Sequence, residues 1–336
     1  MNGFSILDPH ADGYRWQSLC DRLQLSIIHF SPAYARAQMS HYGRVLLAVF
    51  EDGDEFMMQP FEMRDHDGLV DLHSPYGYGG LIGDVHSMWK EMDVEFAKWR
   101  NDYSVICERH VLHPRMVRNQ NNMAWIERNV APAERIKDTV VVRCVPENEL
   151  NLRDTRRHCI RKARERGMVA RRANPQFAEL STFYRLYCET MDRQNASSRW
   201  RFPMKYFTEY FREMPDRAVL VDVAAKDGTV LSSAIVLLGG PHAQYQFAGN
   251  SGVDGASDLL ILKAVEIARE CGAEVLDLGG GATSEQDDSL LNYKRSFSHE
   301  RWPVMVCKRV FDQTRYDAAC AGKPLTDFFP AYRSAA

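Results

Sequence analysis

Long apolar runs are missing from this chain of 336 residues. Residues 45–50 form a short apolar stretch far below the length that spans a bilayer, and the start, MNGFSILDPHADGYRW, has neither a basic opening nor a sustained apolar core. A cytoplasmic protein is the expectation, with a peripheral membrane contact still compatible. Paired cysteines are missing as well. The eight cysteines never stand as CxxC, and none joins histidines at metal-ligand spacing, which predicts reduced thiols and no metal. His110 and His113 in RHVLHPR come nearest to a ligand pair, but no third residue joins them at a convincing spacing. Nor does one charge dominate: 42 Lys and Arg stand against 45 Asp and Glu, a formal net charge of -3. That balance excludes binding a polyanion through bulk charge, so any nucleic-acid contact has to come from a local patch.

What is present suits two domains of moderate size, because the chain exceeds one ordinary core. Residues 32–39 read as a short helix, and residues 44–50 and 56–63 as strands joined by a turn at Asp52 and Gly53. A third strand over 69–72 leads into SPYGYGGLIGD. A helix over 86–101 follows, carrying Met88, Met92, Phe96 and Trp99 on one stripe, and residues 105–107 close the unit as a strand. The same order returns: a helix over 177–191, strands 218–224 and 230–237 turning at Asp227 and Gly228, a strand over 243–248, the loop GNSGVDGAS, a helix over 259–271 and a strand over 275–278. Asp52 and Asp227 lie 175 positions apart, and so do Gly80 and Gly255. Order and spacing agree, which predicts a structural duplication. A strand over 139–145 is expected to finish the first sheet. The boundary falls in residues 146–150, dividing the chain into 1–145 and 146–336.

Two stretches stand out chemically. Residues 274–297, EVLDLGGGATSEQDDSLLNYKRSF, join a short apolar strand to Gly279, Gly280 and Gly281, whose bare backbone can press against a ligand. Leu290, Leu291, Tyr293 and Phe297 then recur at helical spacing, while Lys294 and Arg295 leave that stripe and can meet an anion. The alternative is a β-turn followed by a packing helix. Residues 153–172, RDTRRHCIRKARERGMVARR, hold nine basic residues against Asp154 and Glu165. A helix lines up Arg153, Arg157, Arg161 and Arg164 on one side, beside Lys162, with Leu152, Ile160 and Ala163 anchoring the other. With most compensating acids missing, the run reads either as a phosphate-binding face or as a solvated one.

Hairpin, third strand, loop opening a helix, and further strand make up the ordered plan of the GNAT acyltransferase fold. Two copies in tandem resemble the Fem-type aminoacyltransferases, the FemABX family, and the resemblance covers nearly the whole chain. It is carried by SPYGYGG at positions 74–80, RRHCIRKARERGM at 156–168, LYCETMDR at 186–193, and LDLGGG with DSLLNYKRSF near the end, where an aromatic-Lys pair precedes a Phe. The fold implied is α/β (α+β): two tandem GNAT-like domains, each a mixed, mostly antiparallel sheet flanked by helices. The activity implied is transfer of an amino acid from aminoacyl-tRNA to an amine, the acceptor being a cell-wall precursor or a small molecule, with no cofactor beyond that co-substrate. The long coiled-coil arm that some Fem proteins insert after the basic region is missing.

The family's aromatic-Lys pair falls on Tyr293 and Lys294. Lys294 is the candidate cation beside the leaving ribose oxygen or terminal phosphate, or else a surface lysine capping a short helix. Tyr293 would support the donor by stacking. Asp277 or Asp288 could accept the amine's proton, and each is equally suited to a turn or N-cap. The resemblance also implies substrate contacts at Tyr245, Arg201 and Tyr206, and at Phe297 beside the glycine turn. Tyr76 and Tyr78, set among glycines, suit a sugar, a base or a peptide stem, or else pack as a tyrosine-rich turn. The basic face, Arg153, Arg157, Arg161, Lys162 and Arg164, would take tRNA phosphates. An acyl-CoA N-acyltransferase of polysaccharide or lipid metabolism is the second reading. Against it, GNSGVDGASDLL lacks the Q/RxxGxG/A pattern that cradles a pyrophosphate, and Asp254 and Asp258 would repel an anion. A third reading is a catalytically silent module that holds a glycan or peptide on the Tyr-Gly loop.

Overall fold

The structure, a computed structural model, describes residues 3–23, 27–41, 43–118, 120–283, 287–323 and 328–334. Its strands run in chain order as β1 (Gly3–Leu7), β2 (Arg44–Asp52), β3 (Glu55–His66), β4 (Leu69–His73), β5 (Ile82–Gly83), β6 (Val105–Val111) and β7 (Ala133–Arg143). They continue as β8 (Val169–Ala173), β9 (Ala218–Ala224), β10 (Val230–Gly239), β11 (His242–Asn250), β12 (Val275–Asp277) and β13 (Arg301–Val310). The chain divides into two compact units. One comprises Met1–Leu23, His29–Ile136 and Pro303–Ala336; the other comprises Gln24–Ile28 and Lys137–Trp302.

Within the first unit, β1 to β4 pair antiparallel in succession, β4 pairs parallel with β6, and β6 pairs antiparallel with β13. Within the second, β8 to β11 pair antiparallel in succession, β11 pairs parallel with β12, and β12 pairs antiparallel with β7. The two sheets share one plan, as the repeated spacing predicts. The division between them differs from the expected 145/146 boundary, and the reason is strand pairing. The strand expected to finish the first sheet instead pairs Val141, Val142 and Arg143 with Asp277, Leu276 and Val275. The first sheet takes its last strand from the far end of the chain, Val306 opposite Val111 through Val310 opposite Cys107. Burial drives both choices: Val140, Val141 and Val142 are covered in the second unit, and Val304 and Val306 in the first.

Helices cover these sheets where the apolar stripes require it. Val85–Asp102 buries Met88, Trp89, Met92 and Phe96 against Leu46, Ala48, Met57 and Phe61 of β2 and β3. In the second unit, Ala256–Glu270 sets Leu259, Leu260 and Val265 on the Val219, Val221 and Val223 face of β9. The basic run becomes the helix Asp154–Glu165, anchored by Leu152, Ile160 and Ala163. It stops earlier than the charge pattern does: Gly167 turns the chain with φ +78°, and Arg171 and Arg172 lie in β8, paired with β9. Among the described residues no helix is long and apolar enough to cross a membrane.

Candidate active site

The glycine turn follows β12 in the second unit. Gly279 has φ +76°, in the region that favours glycine, and its N–H donates to Asp277 Oδ1 at 2.7 Å. A Cβ on Gly280 would stand 2.6 Å from Asp138 O, and one on Gly281 would stand 2.5 Å from Asp288 Oδ1. The turn is therefore bare because neighbours on both sides need the space. Residues 284–286 of the expected 274–297 unit lie outside the described residues. Beyond them Asp288 caps the helix Ser289–Arg295, which carries Tyr293 and Lys294.

Lys294 Nζ donates to Gly280 O at 2.7 Å, so the helix reaches back to the turn through its lysine. Burial, and then the charge of Lys137, push the ammonium down to about 8, against the opposing pull of Asp277 and Asp288. Tyr293 lies in a clamp of three helices. Its ring sits under the Arg156 guanidinium at 5.4 Å, its hydroxyl donates to Asp258 Oδ1 at 3.3 Å, and Arg156 Nη1 meets the same oxygen at 2.8 Å. Burial and Asp258 raise the phenol well above its ordinary range, with Tyr245 adding to the effect, so Tyr293 stays protonated. Tyr245, on β11, is raised by burial alone.

Both acidic candidates are already engaged. Asp277 is fully buried and accepts from Thr139 Oγ1 and from Gly279 N–H, with His242 Nε2 at 3.8 Å. Burial pushes that carboxyl up, but His242, Thr139 and the Gly279 N–H outweigh it and hold the group below its usual range. Asp288 accepts from Leu291 N at 2.8 Å, Thr283 N at 2.9 Å and Thr283 Oγ1 at 3.1 Å. These backbone and hydroxyl donors overcome the burial that would raise it and hold it low too. A carboxylate stabilised in this way is a poor proton acceptor, so both residues act structurally: Asp277 braces the turn and Asp288 caps the helix.

Several expected contacts fall elsewhere. Tyr206 is fully buried, bonded to the Tyr210 hydroxyl at 2.9 Å and packed among Phe202, Phe207 and Phe247, which places it in the aromatic core rather than on an open surface. Its helix carries an unbroken aromatic stripe that the core claimed. Phe297, at 1% exposure, sets its ring against Tyr293 at 5.3 Å and supports that side chain from within the core. Arg201 is exposed and pairs with Asp192 at 2.5 Å. In the first unit, Tyr78 is buried with its ring edge-on to His29 and His113 at 5.2 and 5.1 Å, while Tyr76 lends its carbonyl to the Tyr34 hydroxyl at 2.5 Å. The Tyr-Gly loop is thus packed rather than open at Tyr78.

On the basic helix, Arg153, Arg157, Arg161, Lys162 and Arg164 are all exposed, but they are not equally available. Arg164 forks onto Glu147 at 2.8 and 2.6 Å, Arg157 donates to Leu150 O, and Arg161 Nε lies 3.6 Å from Glu165. The compensating acid Glu147 lay just outside the run and so escaped the charge count. Arg156 and Asp258 were missed as a pair for the same reason: 102 positions separate them. With Asp258 neutralised, only half of the expected acidic repulsion at the 250–258 loop remains. Lys137 is a further residue that no local pattern announced. Among the described residues no group of three or more His, Cys, Asp or Glu is placed to hold a metal ion.

Comparison with known proteins accords with this geometry. Residues 151–295, which hold the basic helix, the Asp258 loop and the Tyr293–Lys294 pair, match the family described as acetyltransferase (GNAT) domain. The chain is 28% identical over 123 residues to the UDP-N-acetylmuramoylpentapeptide-lysine N(6)-alanyltransferase of Weissella viridescens. That match spans 35% of this chain and 35% of the relative. Among solved structures, FemX superposes with a TM-score of 0.71 at 12% identity, covering 94% of this chain and 99% of FemX. L-PGS from Bacillus licheniformis gives a TM-score of 0.61 at 10% identity, covering 89% and 92%. A match to a GNAT domain within the second unit and the same sheet plan in the first give the chain a tandem GNAT-like fold, similar to that of FemX.

Proposed function

We propose that this chain is an acyltransferase that moves an amino acid from aminoacyl-tRNA onto an amine, forming an amide. The observation that carries the reading is Lys294, a half-buried ammonium near pKa 8 held against the glycine turn beside a clamped tyrosine. The alanyltransferase relative, named for alanine transfer to a lysine N6, supports it.

An aminoacyl ester already stores the free energy for amide formation, so alignment and charge stabilisation suffice and no cofactor is required. The neutral amine attacks the ester carbonyl, the C–N bond forms, and the C–O bond to the ribose breaks. The proton shed by the amine ends on the departing ribose oxygen, and the Lys294 ammonium stabilises the negative charge that develops there. Tyr293, with Tyr245 near it, offers a face for stacking the donor. Asp277 and Asp288 hold the turn and helix rather than accept the proton. The exposed Arg153, Arg157, Arg161, Lys162 and Arg164, with Arg171 and Arg172, attract the tRNA backbone, and such a donor sets the reaction in the cytoplasm. Arg201 and Tyr76 remain candidates for the acceptor, a cell-wall precursor or a small molecule, which a peripheral membrane contact could deliver.

Purified protein given charged tRNAs with labelled amino acids and amine-bearing extracts should yield labelled amide that RNase abolishes. Absence of transfer with every charged tRNA would overturn the reading. A second reading, acyl-CoA-dependent N-acyl transfer, is favoured by the acetyltransferase description of the matched domain and by the Arg156–Asp258 pair, which removes one negative charge from the loop. Consumption of acyl-CoA without any response to tRNA would select it.

A further inference from the structure

One face of the first sheet carries a row of charged side chains across four hydrogen-bonded strands. Glu62 on β3 stands opposite His73 on β4, His73 opposite Arg109 on β6, and Arg109 opposite Lys308 on β13. One step along, Arg64 stands opposite Asp71. Most of these charges are matched locally: Arg64 pairs with Glu62 at 2.8 Å, Lys308 with Glu134 at 2.5 Å, and Arg333 with Asp71 at 2.6 Å. Arg109 is the exception. Among the described residues its hydrogen bond goes to an uncharged imidazole, His73 Nε2 at 2.8 Å, and that nitrogen is free to accept because His73 Nδ1 donates to Ser74 O.

Four cations in the row, Arg64, Arg109, Lys308 and Arg333, stand against three carboxylates, Glu62, Asp71 and Glu134, which leaves one positive charge in excess. Burial and the nearby Arg64 work against that charge and lower Arg109 to about 10, with Glu134 pulling the other way. His73 brings no relief, because burial and the two arginines keep it neutral. Arg64 also holds a donor in reserve: its Nε is buried and makes no hydrogen bond. Arg64, His73, Arg109 and Lys308 are each half-buried, so a small solute can reach the row while the sheet shields it from bulk water. An oxyanion fits this arrangement, and the charge count selects its kind. A carboxylate cancels the excess with a single charge, whereas a phosphate, at about -1.5 to -2 near neutral pH, overshoots it. Guanidinium forks also match the coplanar oxygens of a carboxylate.

We propose that Arg109, with Arg64 beside it, forms a binding site for the carboxylate of a small ligand on the first sheet. His73 is its positioning residue, fixing one edge of the Arg109 guanidinium through a ring that Ser74 O holds in place. All of these residues belong to the first unit, and none to the Tyr293–Lys294 centre. The inference goes beyond the aminoacyl-transfer reading and does not depend on it. The carboxylate is that of a free organic acid or that of a peptide chain end.

The test needs no turnover. With the full chain labelled with ¹⁵N at histidine and arginine, NMR titration at low ionic strength follows the side-chain signals of His73 and Arg109 as acetate is added. Acetate should shift both signals saturably, and inorganic phosphate at the same concentration should shift them less. Arg109→Gln should weaken acetate binding by about tenfold or more, and Arg64→Gln by a few-fold. Glu134 is exposed, so Glu134→Gln leaves the fold unchallenged and keeps the test alive should Arg109→Gln not fold. By adding a second excess positive charge it should tighten acetate binding by about two- to fivefold and admit phosphate as well. Absence of saturation, shifts retained in Arg109→Gln, or an affinity that Glu134→Gln leaves unmoved overturns the site. N-acetyl-Ala-Ala binding more tightly than acetate assigns a peptide end as the source, and the converse assigns a small free acid.

Discussion

Each unit places a strained cation near its parallel strand pair, and the two are handled in opposite ways. In the first unit Arg109 on β6 stands opposite His73 on β4 and donates to its Nε2 at 2.8 Å, while His73 Nδ1 donates to Ser74 O at 2.6 Å. Burial and the nearby Arg64 lower Arg109 to about 10, and burial with the two arginines holds His73 well below its ordinary range. In the second unit the strand carries the anion instead: Asp277 on β12 stands opposite Gln244, and the cation arrives from a following helix as Lys294. The first arrangement locks a charge that never titrates near neutrality into the sheet. The second holds a charge whose proton is exchangeable near pH 8 on a bare turn. One fold plan thus holds a fixed charge at the junction in one copy and a titratable one in the other, according to which residue type occupies it.

That contrast breaks if Lys294 proves dispensable. Lys294→Met should lower kcat/KM by about 10²- to 10³-fold, the scale of removing one oxyanion-stabilising group, as read from initial rates of amide formation. The same variant should not lower Tm. A lysine whose folded pKa is about 8, below its ordinary 10.5, contributes stability fully present only above the unfolded value and lost as pH falls through about 8. Near pH 7 the buried charge therefore opposes folding, and methionine relieves it. In the wild type, activity that needs the ammonium should decline as pH rises through about 8. A decline centred near 10.5 would remove burial from the account.

Asp277→Asn should act on stability, costing about 1–3 kcal/mol in denaturant unfolding, because a buried acceptor set loses its best partners. Its effect on the pH profile should be confined to Lys294, whose titration moves to lower pH when an attracting carboxylate is removed. Arg156→Met releases Tyr293 and leaves Asp258 buried without its cation, and should reduce kcat/KM by about tenfold through misplacement of the helix. The first unit answers to pH in its own way. His73 is held neutral, so its share of stability is present above the unfolded value of 6.5 and drains away as pH falls below it. Thermal melts from pH 7.5 to 5 should show that loss, and His73→Gln should flatten it. The smallest change is expected at the surface: Arg161→Glu with Lys162→Glu should raise the KM for charged tRNA a few-fold at low salt, with little effect at high salt.

Much of this was legible along the chain. The 175-residue offset predicted two sheets of one plan, and the apolar stripes at Met88, Met92 and Phe96 and at Leu259, Leu262 and Val265 marked the helices that cover them. Tyr293, Lys294 and the three glycines were also visible as a local string, and the structure joins them through one hydrogen bond. Other features were hidden because they depend on distant partners. Glu147 quiets Arg164 from outside the basic run, and Asp258 claims Arg156 from another helix. Tyr206 looked like a ligand contact in a string of aromatics that instead fills the core.

The closing strands draw the line most clearly. Periodicity and turn residues are local properties, so the sequence marked the hairpins, the glycine turns and the helices over 86–101 and 177–191 closely, but it placed the start of β7 at 139 instead of Ala133 and did not announce β1, β8 or β13. Which sheet a strand completes depends on what buries its apolar face, and that is settled only when the whole chain has packed. Hence β7 serves the second unit and β13 the first. The same holds for charge. Sequence dictates that Lys294 is a lysine, but its affinity for a proton is set by burial, by Lys137 arriving from β7, and by two carboxylates that other bonds hold still.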